Sequence, residues 1–136
     1  MNIVRRYRTP RECSILQAIY ATLDDDQEHF ILLVLNAGNE ITGFKVIASG
    51  SQDAAEIDTR IVFHNALLLG ARNIMVAHNH PSGSLKPSPA DWMTTERIVN
   101  AGKIVGVDCI DHIIFTSTGC LSLREKNPDL FERAQR

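Results

Sequence analysis

Residues 30–35 read Phe-Ile-Leu-Leu-Val-Leu, six apolar side chains in unbroken succession. A strand sends alternate side chains to opposite faces, so a run apolar at every position needs cover on both. The run is too short for an ordinary buried helix and suits a central strand, read over Glu28–Leu35. Asn36-Ala37-Gly38-Asn39 behind it is turn chemistry. Residues 41–48 then give a second strand, expected to pair with the first as a hairpin. The hairpin must lie in a sheet with helices packed on it.

The rest of the chain supplies those helices. Pro10 opens a helical pattern whose stripe is Ile15, Leu16, Ile19, Tyr20 and Leu23. The acidic run at residues 24–26 ends it as a solvated turn. Asp58 or Thr59 caps a second helix running to about Gly70, with Ile61, Val62, Ala66, Leu68 and Leu69 as its apolar positions. Residues 74–78 form a short strand, and 79–87 a loop rich in Pro, Gly and Ser. Residues 88–106 read as a helix, 107–115 as a strand, 116–119 as a turn, and 120–123 as a last strand. The tail after Pro128 suits a helical turn or two. The expected order α, β, β, α, β, α, β, β gives a mixed sheet in a layered α/β or α+β fold. We expect a single domain over residues 1–136, with residues 1–9 loose.

Charge and cysteine usage narrow the function classes. The formal net charge is −2, from 14 basic and 16 acidic side chains. A nucleic-acid binder working through counterion release carries a basic excess, so direct nucleic-acid binding is not expected. The basic arm of Arg5, Arg6, Arg8 and Arg11 reads as solvated. Cys13, Cys109 and Cys120 are odd in number and form no CxxC pair. A disulfide scaffold is therefore not expected, and Cys13 and Cys109 read as buried thiols. The N-terminus lacks the apolar segment of a signal peptide, and no apolar run is long enough for a bilayer. The expected location is the cytoplasm.

The chemistry concentrates in His78-Asn79-His80-Pro81-Ser82-Gly83-Ser84-Leu85-Lys86-Pro87-Ser88-Pro89-Ala90-Asp91. Two histidines two apart at a strand's end point the same way. Asp91 follows in the first turn of the next helix, and a strand–loop–helix return can bring it over that end. Two imidazoles and a carboxylate suit a catalytic zinc, which takes three protein ligands and keeps a fourth position open. The residues alone also allow a plainer reading. Ser88-Pro89-Ala90-Asp91 is a strong helix start, with Ser88 as N-cap, Pro89 at N1 and Asp91 at N3. A histidine pair of this kind is also often structural.

The spacing H-x-H, seven residues, S, two residues, D resembles the JAMM motif of the JAB/MPN metalloprotease family. The string His-Asn-His-Pro-Ser-Gly with Pro-Ser and Asp is similar to its RadC branch. Asp111-His112-Ile113-Ile114, the Ala66-Leu67 to Ala71 stretch and Ser122 also resemble that branch, from about Glu28 to Glu125. The resemblance implies a JAB/MPN, cytidine-deaminase-like architecture and a zinc-dependent hydrolase acting on a peptide or isopeptide amide bond. On it, His78, His80 and Asp91 would hold the zinc, and Ser88 would steady the oxyanion. Glu28 would be the general base, with Glu56 as second candidate. Without the resemblance, Glu28 reads as an exposed acid extending the acidic turn.

Arg60-Ile61 and Gly50-Ser51 stand where the branch commonly has Arg-Glu and Gly-Thr. The longer members carry a helix-hairpin-helix region, so the resemblance is to the short, stand-alone form. His78-Asn79-His80 is not the HNH nuclease signature, whose residues are dispersed along a ββα unit. A peptide or protein substrate is expected. The alternatives are a DNA-repair-associated role, or a non-catalytic interaction module on the same fold. His29 and His64 are expected on solvated positions and Trp92 in the core. Asp111 and His112 point to opposite faces, leaving one of them able to support the site.

Overall fold

The computed structural model describes residues 9–50 and 57–133. Their elements are α1 (Thr9–Tyr20), β1 (Glu28–Leu35), β2 (Ile41–Gly50), α2 (Thr59–Leu68), β3 (Asn73–Asn79), α3 (Pro89–Val105), β4 (Asp108–Phe115), β5 (Cys120–Ser122), α4 (Leu123–Lys126) and α5 (Pro128–Arg133). The five strands form one mixed sheet in the order β2-β1-β3-β4-β5. β1 pairs antiparallel with β2 and β3, and β3 runs parallel to β4, with α3 as the crossover between them.

β1 is buried at every position from His29 to Leu35, as its unbroken apolar run requires. Phe30, Leu32 and Val34 face Val62 and Ala66 of α2 and Ile98 of α3. Ile31, Leu33 and Leu35 face Leu16, Ile19 and Tyr20 of α1. The result is three layers, with α1 on one side of the sheet and α2 and α3 on the other.

Local chemistry sets the helix ends. Asp58 caps α2 by accepting from the Arg60 N–H. Beyond its end, Gly70 takes φ 72°, the Gly70 N–H donates to Leu67 O and the Ala71 N–H to Ala66 O, a Schellman closure. α3 turns back into β4 so tightly that a Cβ on Gly102 would lie 2.4 Å from the Val107 carbonyl oxygen. Among the described residues no helix is long and apolar enough to cross a membrane.

Several expectations need correction. α1 stops at Tyr20, so Leu23 packs from the following turn. Ile61, Leu68 and Leu69 are exposed, because α2 buries the face carrying Val62, Phe63 and Ala66. His29 is buried, since Ser49 of β2 and the Asp24 turn both close on its ring. Its Nε2–H donates to the Asp24 carbonyl at 2.7 Å, and its Nδ1 accepts from the Ser49 hydroxyl at 2.7 Å. Cys109 is a buried free thiol, and burial pushes its pKa up. Cys13, by contrast, is joined to Cys120, with Cα atoms 5.9 Å apart. Packing α1 beside β5 brings the two together across a sequence separation of 107. The basic arm and Glu56 lie outside the described residues, apart from the Arg11 backbone in α1.

A crosslink closing so long a loop restricts the unfolded chain strongly. Cys120→Ser should lower unfolding free energy by about 2–4 kcal/mol in urea without reductant. Dithiothreitol should bring the wild type to the same midpoint. Equal midpoints for oxidised wild type and variant would contradict the crosslink.

Candidate metal centre

β3 carries Ile74, Val76 and His78 on the helix-covered face. The loop after β3 then turns sharply: the His80 N–H donates to the Phe115 carbonyl and the Gly83 N–H to the His80 carbonyl. Gly83 allows this with φ 86°. α3 starts at Pro89, and its first turn sits over the end of β3. His78, His80 and Asp91 thereby converge, with ligand-capable atoms all within 4.8 Å of one another. His78 and Asp91 are buried, and His80 is partly open.

Hydrogen-bond direction fixes both imidazoles. A carbonyl can only accept, so His80 Nδ1–H donates to Ser84 O at 2.8 Å, which leaves Nε2 as the atom turned to the convergence point. For His78 the direction runs through three groups. Thr95 Oγ1–H donates to the Asp91 carbonyl at 2.7 Å, so its oxygen must accept from His112 Nδ1–H at 2.6 Å. His112 Nε2 is then an acceptor, and His78 Nδ1–H donates to it at 2.8 Å. His78 Nε2 therefore also faces the convergence point. Burial, reinforced by His78, pushes the His112 pKa well down and keeps that ring neutral, as this direction needs.

The three acceptors sit close. His78 Nε2 lies 3.0 Å from His80 Nε2 and 3.1 Å from Asp91 Oδ1, and His80 Nε2 lies 3.4 Å from Asp91 Oδ2. All three atoms turn to one point, where a proton or a metal ion would lie among them. Ligands at about 2.0–2.2 Å around a tetrahedral ion stand roughly 3.3 Å apart, so the donor set fits such an ion. Asp91 also completes a capping box: Ser88 N–H donates to Asp91 Oδ2 at 2.8 Å, and Asp91 N–H donates to Ser88 Oγ at 3.1 Å. The cap and the metal-facing arrangement share one carboxylate. Burial alone would raise the Asp91 pKa, but the contacts with His78 and His80 hold it well below the carboxylate range.

Glu28 opens β1 on the same face. Phe30 pairs with His78 and stacks on its ring, and Glu28, two residues before Phe30 in β1, falls on the same face. Glu28 and His78 line one cavity with Phe30, Ser49 and Ile57, and the Glu28 charge contributes to raising the His80 pKa. Asp111 and His112 do take opposite faces. A bulge at Ile110 shifts the β3–β4 register, so that Cys109 and His112 both face the helices. Asp111 instead accepts from the Ser122 hydroxyl and the Arg124 N–H. Trp92 packs half-buried against the core, and His64 is exposed. Thr95 was not legible as a site group: its signal is only its i+4 spacing from Asp91 on α3.

A RadC-like JAB domain model matches residues 10–128. The chain belongs to the RadC-like JAB family. It is 39% identical over 102 residues to a UPF0758 protein of Pelodictyon phaeoclathratiforme, and 41% identical over 101 residues to one of Enterococcus faecalis. It is 39% identical over 103 residues to one of Methanosarcina acetivorans. These alignments cover 75, 74 and 76% of this chain but 46, 44 and 45% of the relatives. The chain thus spans about half the length of the curated relatives it matches.

A proton competes with a metal ion for this RadC-like site. The hydrogen bond to Asp91 raises the His80 pKa above 6.5; burial opposes the rise, and the Ser84 carbonyl adds to it. Metal must displace that proton, so affinity should fall as pH drops through the raised value, beginning above pH 6.5. Equilibrium dialysis with elemental analysis should find one metal ion per chain at pH 8 in wild type and none in His80→Ala or Asp91→Ala. Equal metal in all three proteins would contradict the site.

Proposed function

We propose that this RadC-like JAB domain is a zinc-dependent hydrolase that cleaves a peptide or isopeptide amide bond in a peptide or protein substrate. The observation that carries this reading is the convergence of two directed imidazole Nε2 atoms and a carboxylate, with Glu28 on the same sheet face. Two nitrogens and one oxygen are a catalytic zinc's usual protein ligands, and three of them leave a position for water or substrate. When bound, zinc would supply Lewis-acid polarisation of the water and of the substrate carbonyl.

The chain's own groups do the rest. His78, His80 and Asp91 would hold the ion. Glu28 accepts a proton from the attacking water and returns it to the leaving nitrogen. Ser88 caps α3 through its oxygen lone pair, so its O–H can still donate to the oxyanion. The relay from Thr95 through His112 keeps His78 in the tautomer that presents Nε2.

Two substitutions test the reading on zinc-loaded protein, by single-turnover cleavage of a peptide library with zinc content measured alongside. Glu28→Gln keeps shape and removes basicity, so it should retain zinc and lose nearly all turnover. Ser88→Ala should cost about 0.5–2 kcal/mol of stability as a cap, and on the order of 10²–10³ in turnover as an oxyanion donor. A fully active Glu28→Gln would remove Glu28 as the base and leave Glu56 to be tested.

A further inference from the structure

The residue between the two histidines belongs to the opposite face of the sheet. Asn79 is fully buried there, and its amide bonds the backbone on both sides of Glu28. Its Oδ1 accepts from the His29 N–H at 2.7 Å. Its Nδ2 donates to the Gln27 carbonyl at 2.8 Å and reaches the Tyr20 hydroxyl at 3.4 Å. A backbone N–H can only donate and a carbonyl only accept, so the amide has one possible orientation.

β1 and β3 stop pairing at Phe30 and His78. Past that point the Asn79 side chain stands in for a peptide unit of the missing strand, gripping residues 27 and 29 on either side of Glu28. On the other edge Glu28 is paired with Gly50 of β2. Tyr20 closes the same corner from α1, donating its hydroxyl to the Asp25 carbonyl at 3.1 Å. The backbone around Glu28 is thus held from both edges where the turn after α1 enters the sheet.

We propose that Asn79 is a positioning residue that sets Glu28 at its working distance from the metal. This rests on the hydrolase reading of Glu28 as the base. One strand end would then place the whole site: His78 and His80 on one face hold the ion, and Asn79 on the other holds the base. Misplacing a catalytic group by about 1 Å can cost on the order of 10² in rate.

The test uses Asn79→Asp, which keeps the acceptor for His29 and sets an oxygen against the Gln27 carbonyl. Protein loaded with cobalt(II) gives a readout independent of turnover: the paramagnetic shift of the Glu28 carboxyl carbon by NMR. Wild type should show a strong shift. Asn79→Asp should bind one cobalt, keep the shifted histidine resonances, and lose most of the Glu28 shift. With zinc it should lose about 10²-fold in kcat, and nothing further in the Glu28→Gln background, where a merely structural defect would still add.

An unchanged Glu28 shift in Asn79→Asp, or a loss of cobalt, overturns the positioning role alone. No shift in wild type overturns both this role and the hydrolase reading of Glu28. Should the variant not fold, wild-type hydrogen exchange decides. The His29 amide should be as protected as those of the central β1 residues, and rapid exchange there would overturn the clamp.

Discussion

Two imidazole lone pairs 3.0 Å apart, with a carboxylate beside them, repel one another unless positive charge lies among them. The protein nonetheless builds this arrangement with care. Each Nδ1–H is engaged, one by the Ser84 carbonyl and one by the chain that ends on the Asp91 carbonyl. The rings cannot relieve the repulsion by exchanging tautomers without breaking a buried hydrogen bond. A proton on His80 or a metal ion is what the geometry accommodates, and stability and metal affinity are therefore linked through one residue. His80 with a raised pKa favours the metal-free fold below pH 6.5, an advantage lost as pH climbs through the raised value. A bound metal would take over that stabilising role on the alkaline side.

Much of the framework comes from two neighbours in sequence being sent to opposite faces. β3 gives His78 to the α2–α3 side and Asn79 to the α1 side. β4 gives Asp111 to one face, where it ties down Ser122 and the α4 backbone, and His112 to the other, where it steers His78. The apolar β1 between β2 and β3 makes this possible, because helices cover the sheet on both sides and both faces are dry. Buried polar groups there gain strength from the low dielectric and lose heavily if left unpaired.

What could be read from the sequence was local. Six successive apolar residues imply a strand covered twice, and period-two alternation puts His78 and His80 together. Ser88-Pro89-Ala90-Asp91 marks a helix start, and the cap it implies is present on a carboxylate that also lies beside His78 and His80. What could not be read depended on packing between distant segments. Cys13 meets Cys120 only because α1 lies beside β5. His29 is buried because Asp24 and Ser49 both come to its ring. Leu68 and Leu69 look like core residues in an α2 window, yet the helix turns them to solvent at its end. The helix-side placement of His112 depends on a bulge that no spacing rule announces.

X-ray absorption at the zinc edge of the loaded protein addresses the donor set most directly. Four nitrogen or oxygen scatterers at about 2.0–2.1 Å, with the outer-shell pattern of two imidazoles, are expected. The pattern should fall to one imidazole in His80→Ala forced to bind at high zinc. A sulfur scatterer near 2.3 Å, or a first shell without imidazole, would contradict a centre built from His78, His80 and Asp91.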